Sequence, residues 1–234
     1  MKKLLCIGLL LASNAWAGGL TLTTEDAPPF NYTNDDGKTI LGSATEAIHE
    51  LFKRANIDYT LTLYPWVRAI EMARTERDTC VYSTTRTEER EKHFLWVGPV
   101  APNDWMFFAK ADSNISLASV EDARKFKIGG YRGDAVTLFL EGQKFPIDEA
   151  TNDEQNAKKL EAGRIELWAT GSQAGPFVAN KMKVKIKPVL NIKRTELYLA
   201  CNLSVAPETI AKLNATLQAM AKDGTTAKIN KKYQ

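Results

Sequence analysis

The amino-acid sequence predicts an α/β protein, with helices packed on the faces of sheets that contain parallel strands. Several short segments alternate apolar and polar residues, as half-buried strands do. Between these segments, apolar residues recur every three or four positions, which is typical of amphipathic helices. Strands and helices also follow each other in turn along the chain, and this order favours parallel strands joined by helices.

A strand, a loop and a helix are the first elements predicted after residue 19. Alternation predicts a strand over 20–24, and the segment 25–37, rich in Pro, Asn and Asp, predicts a loop. Ala, Ile, Leu and Phe residues at helical spacing predict a helix over 43–55. Ser43 followed by Glu46 is typical of a capping box at its start.

A second helix lies between two further strands. Alternation predicts a strand over 59–64, and Pro65 opens a helix to about Arg74, because proline fits the first helical position. A third short strand is predicted over 79–83. The β-α-β-α-β order of this half predicts a parallel sheet.

The second half of the chain repeats the alternation. Strands are predicted over 126–130, 165–169, 181–187 and 196–203, and helices over 134–140, over 152–162, from Pro207 and in the basic tail. The strand over 181–187 alternates Lys with apolar residues. We interpret it as an edge strand whose Lys side chains discourage pairing with another chain, rather than as a stripe that binds anionic lipid or nucleic acid.

Composition excludes several classes of protein. The 234 residues are 44% hydrophobic and 25% charged, which is unlike a disordered chain, a collagen repeat or a coiled coil. A net charge of +3 is too balanced for nucleic acid to be the expected partner. Three Cys and two His leave little material for a zinc site, and no P-loop or G-x-G-x-x-G is present, so we expect no metal and no cofactor.

The first 17 residues have the pattern of a secretory signal peptide. Lys2 and Lys3 precede an apolar run over 4–12, and Ala15-Trp16-Ala17 is an A-x-A cleavage site. The run is too short to span a bilayer, which takes about 20 residues. We predict cleavage after Ala17 and export to the periplasm. Cys6 lies within the run and no Cys follows the cleavage site, so a lipoprotein is not expected.

Export leaves two cysteines, Cys80 and Cys201. In an oxidising compartment this pair is a disulfide candidate. Two buried free thiols are the alternative, and the sequence does not separate them because it gives no distance between the two residues.

A polar run, Ser83-Thr84-Thr85-Arg86-Thr87-Glu88-Glu89-Arg90, follows the third strand. In an open α/β sheet, ligands bind beyond the carboxyl ends of the strands. Hydroxyl groups there can bind a small polar solute, and an arginine can bind a carboxylate through two parallel hydrogen bonds. The alternative is a solvated loop. No G-x-S-x-G or other enzyme motif accompanies the run.

Six short motifs occur in a specific order. They are Ala27-Pro28-Pro29-Phe30, Asp36-Gly37 with Gly42, Ser-x-Thr-x-Thr-x-x-Arg ending at Arg90, Phe94-x-Trp96-x-Gly98-Pro99, Ala162-Gly163-Arg164-Ile165-Glu166, and Asp223-Gly224-Thr225 with Ile229 and Lys231-Lys232-Tyr233. Together they resemble the bacterial extracellular solute-binding proteins of family 3, the periplasmic proteins that bind polar amino acids.

The resemblance implies a two-lobe periplasmic-binding-protein fold of type II. Lobe 1 would comprise 18–107 and 195–234, and lobe 2 would comprise 108–194. Each lobe would have a mixed, mostly parallel sheet flanked by helices. Two crossovers would join the lobes, and a hinge motion would close them on a ligand.

The same resemblance implies the ligand-binding residues. Arg90 matches the carboxylate-binding arginine, Thr85 matches a neighbouring hydroxyl, and Ser83 lies on the same wall. The other residues implied to face the cleft are Glu25, Phe30, Trp66 and Arg68. Trp66 is either an aromatic wall or a core residue, and Arg68 is either a second contact for an anionic ligand or a surface charge.

Two positions depart from the family pattern. The family usually has an Asp that holds the α-ammonium of an amino acid where this chain has Gly171, and Thr170 before it is the ligand-binding candidate at this strand end. A hydroxyl residue that binds the carboxylate is replaced by Asp134. Either Asp134 takes over the missing acid or the ligand has no ammonium group, and Arg132 nearby favours a second acidic group.

The predicted function is capture of a small polar or carboxylate-bearing, amino-acid-like solute by a monomer. The expected partner is the membrane permease of an ABC-type importer, or a sensor domain. One alternative is a periplasmic enzyme on the same scaffold, similar to dehydratases of small carboxylates, with Glu25, Asp26 or Asp134 as general acid. Another is a degenerate receptor that binds only a partner protein.

Overall fold

A computed structural model describes residues 19–34 and 37–233 of the chain. The predicted signal peptide over 1–17 and the Asp36 of the predicted turn lie outside these residues.

Strands and helices alternate along most of the described chain. The strands are β1 Leu20–Thr24, β2 Tyr32–Thr33, β3 Ile40–Leu41, β4 Tyr59–Leu63, β5 Thr79–Thr85, β6 Leu95–Pro102, β7 Trp105–Lys110, β8 Ile128–Tyr131, β9 Ile147–Ala150, β10 Leu167–Gly171, β11 Ile186–Lys193 and β12 Glu196–Cys201. The helices are α1 Ser43–Ala55, α2 Trp66–Thr75, α3 Glu88–Glu91, α4 Ala135–Gly142, α5 Asp153–Glu161, α6 Ala174–Lys181, α7 Pro207–Lys222 and α8 Thr225–Lys232, with a short 3₁₀ helix at Glu121–Lys125.

Two five-stranded sheets organise these elements. The first has the order β4-β1-β5-β12-β6, and the second has the order β11-β7-β10-β8-β9. We call the first sheet with the β2-β3 pair and the helices α1, α2, α3, α7 and α8 lobe 1, and the second sheet with α4, α5 and α6 lobe 2. The α/β class and the two sheets flanked by helices agree with the sequence prediction.

Parallel pairing is found where helices connect the strands. β1 pairs in parallel with β4 and β5, as the β-α-β-α-β order predicted. β8 likewise pairs in parallel with β9 and β10. The remaining pairs, which involve β6, β7, β11 and β12, are antiparallel. Both five-stranded sheets are therefore mixed rather than mostly parallel, because each has two parallel and two antiparallel pairs.

Both faces of each sheet are covered by helices. In lobe 1, Cys80 and Tyr82 face the core beneath α1, α7 and α8, whereas Val81 between them faces α2. In lobe 2, Leu167 packs towards α4 and Trp168 packs towards α5 and α6. This alternation gives each lobe its own core, and a large apolar side chain buried there contributes about 1.5–3 kcal/mol.

Two further sequence predictions need correction. Gly42, not Ser43, precedes the first turn of α1 and no side chain caps it, while Glu46 accepts hydrogen bonds from Lys232 and Tyr233 instead. The predicted strand over 181–187 begins only at Ile186, because α6 extends to Lys181 and is followed by a turn. β11 does lie at a sheet edge, as expected.

The chain passes between the two sheets twice, at 103–104 and at 194–195. The first passage lies a few residues before the predicted boundary at 107, which falls inside β7. The two passages are hydrogen-bonded to each other, since the Asn103 amide donates to the Thr195 carbonyl at 2.9 Å and the Thr195 amide donates to Asp104 Oδ1 at 3.2 Å.

Cys80 and Cys201 form a disulfide bond. They lie opposite each other in the paired strands β5 and β12, although 121 positions separate them in the sequence. The structure therefore has the disulfide bond and not two free thiols.

No helix within 19–34 and 37–233 combines the length and the apolar character that crossing a membrane requires.

Candidate functional site

A cleft of about 400 Å³ lies between the two lobes. Pockets that bind small molecules commonly enclose about 300–1,000 Å³, so this cleft has room for a small solute. Eight of the sequence-predicted binding residues line it, namely Glu25, Phe30, Trp66, Ser83, Thr85, Arg90, Asp134 and Thr170.

Arg68 and Arg132 do not line the cleft. Arg68 lies two residues after Trp66 in α2, so its side chain projects from nearly the opposite face of the helix, where it is exposed and lies over the Tyr64 ring. Arg132 follows Tyr131, which does line the cleft, and pairs at the surface with Glu149 at 2.9 Å. Their positions do not support the expected ligand contacts.

Arg90 is buried in the cleft, with 9% of its surface exposed. Its Nη1 donates to the Thr85 carbonyl at 3.2 Å and its Nη2 donates to the Gly133 carbonyl at 3.3 Å. Within 19–34 and 37–233, no carboxylate pairs with it inside 4.0 Å. A guanidinium has five N–H donors, so Arg90 retains hydrogen-bonding capacity for a ligand.

Trp66 is both a core residue and an aromatic wall of the cleft, the two alternatives that the sequence left open. It belongs to the core beneath α2 and also lines the cleft. Its ring lies 5.2 Å from the Arg90 guanidinium carbon, and its Nε1 donates to the Gly133 carbonyl at 2.8 Å. Trp66 therefore fixes one side of the arginine.

Five carboxylates line the same cleft, and three of them affect each other's pKa. Glu25 follows β1 in lobe 1, and Asp134 and Asp153 precede α4 and begin α5 in lobe 2. Burial raises the pKa of each of them above its ordinary value, and charge repulsion among the three adds to the rise for Glu25 and Asp153. The positive charge of Arg90 offsets part of the rise in the pKa of Asp134.

Asp153 lines the cleft, although no sequence pattern singles it out. Its Oδ1 accepts a hydrogen bond from Trp168 Nε1 and its Oδ2 accepts one from Thr170 Oγ1, both at 3.0 Å. Burial, with repulsion from Asp134 next, raises its pKa to about 6. In the sequence, an acid after the capping residue Asn152 indicates only the start of a helix. The contact with Thr170 depends on the packing of β10 beside α5, which the sequence does not show.

The lobes touch each other around the cleft. Besides the bonds to the Gly133 carbonyl, the Tyr32 ring of lobe 1 lies 5.8 Å from the Phe177 ring of lobe 2. Gln173 Nε2 donates to the Pro102 carbonyl at 3.2 Å. The structure is therefore a closed arrangement of the lobes.

A family model for bacterial extracellular solute-binding proteins, family 3, matches residues 20–234. The chain belongs to this family. Among curated proteins, none matches it significantly.

Several solved structures share the fold of this chain. A histidine kinase sensor domain with similarity to periplasmic binding proteins has a TM-score of 0.83 at 18% identity, covering 92% of this chain and 95% of its own. The arginine-, lysine-, histidine-binding protein ArtJ from Geobacillus stearothermophilus has a TM-score of 0.80 at 17% identity, with coverages of 92% and 95%. An arginine transport-system binding protein from Legionella pneumophila has a TM-score of 0.75 at 20% identity, with coverages of 92% and 99%.

Gly171 shows how this family 3 chain departs from the usual pattern. A Cβ atom at position 171 would lie 2.1 Å from Asn103 Oδ1, so no larger side chain fits there while Asn103 keeps its place. Asn103 comes from the first crossover, and its Oδ1 is buried without a hydrogen-bond partner. No sequence pattern indicates that Asn103 lines the cleft, because its position depends on a contact with β10.

No group of three or more His, Cys, Asp and Glu side chains within 19–34 and 37–233 is arranged to hold a metal ion.

Asp153→Asn should raise stability at neutral pH and flatten its pH dependence. Because the pKa of Asp153 rises from 3.8 to about 6 on folding, the folded state binds more protons between these values. The free energy of unfolding therefore falls as the pH rises through this window, by up to about 3 kcal/mol. Urea unfolding between about pH 4 and pH 8, without added solute, measures the effect.

The matched control is Asp112→Asn, which changes an exposed aspartate outside the cleft. Its curve should parallel that of the unmodified protein. If the Asp153→Asn curve is parallel to it as well, Asp153 does not titrate as the cleft geometry implies.

Proposed function

We propose that this protein is a periplasmic receptor that captures a small, carboxylate-bearing, amino-acid-like solute between its lobes. The observation that carries the proposal is Arg90, a buried guanidinium in the interlobe cleft without a carboxylate partner inside 4.0 Å among the described side chains. A buried charge is costly unless it is paired, so this arginine favours an anionic group from a ligand.

The surroundings of Arg90 support the binding of a carboxylate. Thr85 and Ser83 line the same wall and offer hydroxyl groups, and Phe30 and Trp66 supply apolar surface. Closure of the lobes excludes water, and this strengthens a charge-assisted hydrogen bond to the guanidinium. These features favour reversible capture.

The signal-peptide pattern over 1–17 supports export with cleavage after Ala17, and we propose that the mature chain acts as a monomer. Two partners fit the proposed role. Among similar structures, one is the binding protein of an amino acid ABC transporter and another is a histidine kinase sensor domain. We propose delivery to the permease of an ABC-type importer, with reporting to a sensor as the second candidate.

Native mass spectrometry of protein purified from its own periplasm tests the proposal. We expect a co-purified small molecule with a carboxylate, and its removal should lower thermal stability. Readdition at about one hundred times the dissociation constant should restore about 2.7 kcal/mol.

Failure of every amino acid and organic acid to shift the melting temperature would contradict the proposal. A bound solute whose mass changes on incubation would instead favour an enzyme. The raised pKa of Glu25 is the observation in support of that alternative, because it would make Glu25 a general acid.

A further inference from the structure

A buried amide joins two separate pieces of the cleft wall. Asn31 is fully buried and lies behind the cleft rather than in its lining. Its Nδ2 donates to the Glu25 carbonyl at 2.6 Å, and its Oδ1 accepts a hydrogen bond from the Ser83 hydroxyl. Glu25 and Ser83 both line the cleft, although they belong to different segments of lobe 1.

The first piece is the loop between β1 and β2. Ala27 and Asn31 exchange two backbone hydrogen bonds, at 2.6 Å and 3.1 Å, and these close the loop on itself. Five residues of this loop line the cleft, namely Glu25, Asp26, Ala27, Pro28 and Phe30. A displacement of Asn31 would therefore move much of the lobe 1 wall.

The second piece is Ser83, whose backbone has an unusual conformation. Its φ angle is 59°, in the left-handed region that residues other than glycine rarely adopt. The pairing of β5 with β12 is irregular at this point, because Tyr82 and Ser83 together lie opposite a single residue of β12. Such a bulge redirects a side chain and is common beside functional sites. A rare backbone conformation persists only where its surroundings hold it, and the hydrogen bond to Asn31 is one such restraint.

The conformation of Ser83 affects the position of Arg90, the group that binds the proposed carboxylate. Thr85 follows two positions later in β5 and lines the cleft, and its carbonyl accepts a hydrogen bond from Arg90 Nη1 at 3.2 Å. A change in the backbone at Ser83 would turn the end of β5, and with it the carbonyl that orients the guanidinium. Contacts through Ser83 and Thr85 thus link the buried amide of Asn31 to Arg90.

We infer that Asn31 is a positioning residue of the binding site, which holds the loop over 25–31 and the end of β5 together so that both reach the same solute. The inference rests on the proposed function, in which Arg90 binds a solute in the cleft. An amide suits this role because it donates through its nitrogen and accepts through its oxygen, whereas a carboxylate cannot donate and alanine can do neither. The alternative is that Asn31 stabilises lobe 1 without any effect on solute binding.

Isothermal titration calorimetry tests the inference. The probes are the standard L-amino acids with succinate and glutarate, and the one that binds the unmodified protein most tightly is used for every variant. Asn31→Ala should weaken the binding of this probe by about tenfold or more, because the Glu25 carbonyl and the Ser83 hydroxyl lose their common partner and the wall is no longer preorganised. Urea unfolding of the same variant shows whether it is folded and how much stability it has lost.

The matched control is Asn202→Ala. Asn202 is also buried, its Nδ2 donates to the Ala73 and Arg74 carbonyls at 3.0 Å, and it does not line the cleft. Its replacement should lower stability, as Asn31→Ala does, because buried carbonyls lose their donor. It should change the affinity for the probe by less than about twofold. The comparison therefore separates a loss of stability from a loss of positioning.

A double-mutant cycle with Ser83→Ala gives a readout that a loss of stability alone does not change. Since Asn31 acts in part through Ser83, the loss of affinity caused by Asn31→Ala should be at least about threefold smaller in the Ser83→Ala background than in the unmodified protein. Asn202→Ala should have the same small effect in both backgrounds.

Asn31→Asp covers the case in which Asn31→Ala does not fold. It keeps the size of the side chain and the acceptor for Ser83, but it cannot donate to the Glu25 carbonyl, so it should weaken the probe by about threefold or more. The inference is overturned if folded Asn31 variants bind within about twofold of the unmodified protein, or if the losses in the cycle are additive. Those results leave the proposed function intact, whereas a panel in which no probe binds the unmodified protein overturns both.

Discussion

Replacing Arg90 with alanine should weaken solute binding by about tenfold or more and leave the protein folded. The guanidinium donates charge-assisted hydrogen bonds to the proposed carboxylate, and each is worth about 1.5–3 kcal/mol in a water-excluded site. Arg90 lies outside the two largest cores, so its loss opens a space in the cleft rather than in a sheet. Calorimetry with the co-purified solute measures the affinity.

Arg86→Ala is the matched control, because Arg86 lies four residues earlier and pairs at the surface with Glu91. It should leave the affinity unchanged, and Arg90→Lys should recover only part of the loss since lysine keeps the charge without the fork of donors. An unchanged affinity in a folded Arg90→Ala protein would remove Arg90 from the binding site.

Replacing both Cys80 and Cys201 with alanine should lower the free energy of unfolding by about 4–5 kcal/mol. The bridge closes a loop of more than a hundred residues, and in the chain-entropy model a loop of that size restricts the unfolded chain by about this amount. Both residues are fully buried, so the two alanines also leave small cavities. Urea unfolding of the variant and of the oxidised protein measures the difference.

Reduction offers an independent comparison. The unmodified protein should lose a similar amount of stability in dithiothreitol, while the double variant should not respond to the reductant. A loss below about 1 kcal/mol in both experiments would mean that the unfolded chain is not restricted by the bridge.

Local patterns predicted the elements that local forces determine. The helix over 43–55 was predicted with its exact bounds, because eight of its residues form one buried face at helical spacing. The strand predicted over 181–187 was wrong at its start, because the alternation of Lys and apolar residues there also fits the end of α6 and the turn after it. Short apolar patterns do not separate these two structures.

The site was predictable only in part, and for a similar reason. Arg90 was found because it ends a recognisable run after β5, and the structure places it in the cleft. Asp153 and Asn103 were not found as cleft residues, because their positions depend on contacts with Thr170 and position 171 of β10. Both contacts join segments that are distant in the sequence, and composition or periodicity carries no trace of them.

The Gly133 carbonyl accepts hydrogen bonds from two residues of the opposite lobe, Trp66 and Arg90. Both bonds break when the lobes open, so they stabilise the closed arrangement relative to an open one. A substitution at either residue would therefore shift the balance between closed and open molecules as well as alter the wall of the cleft.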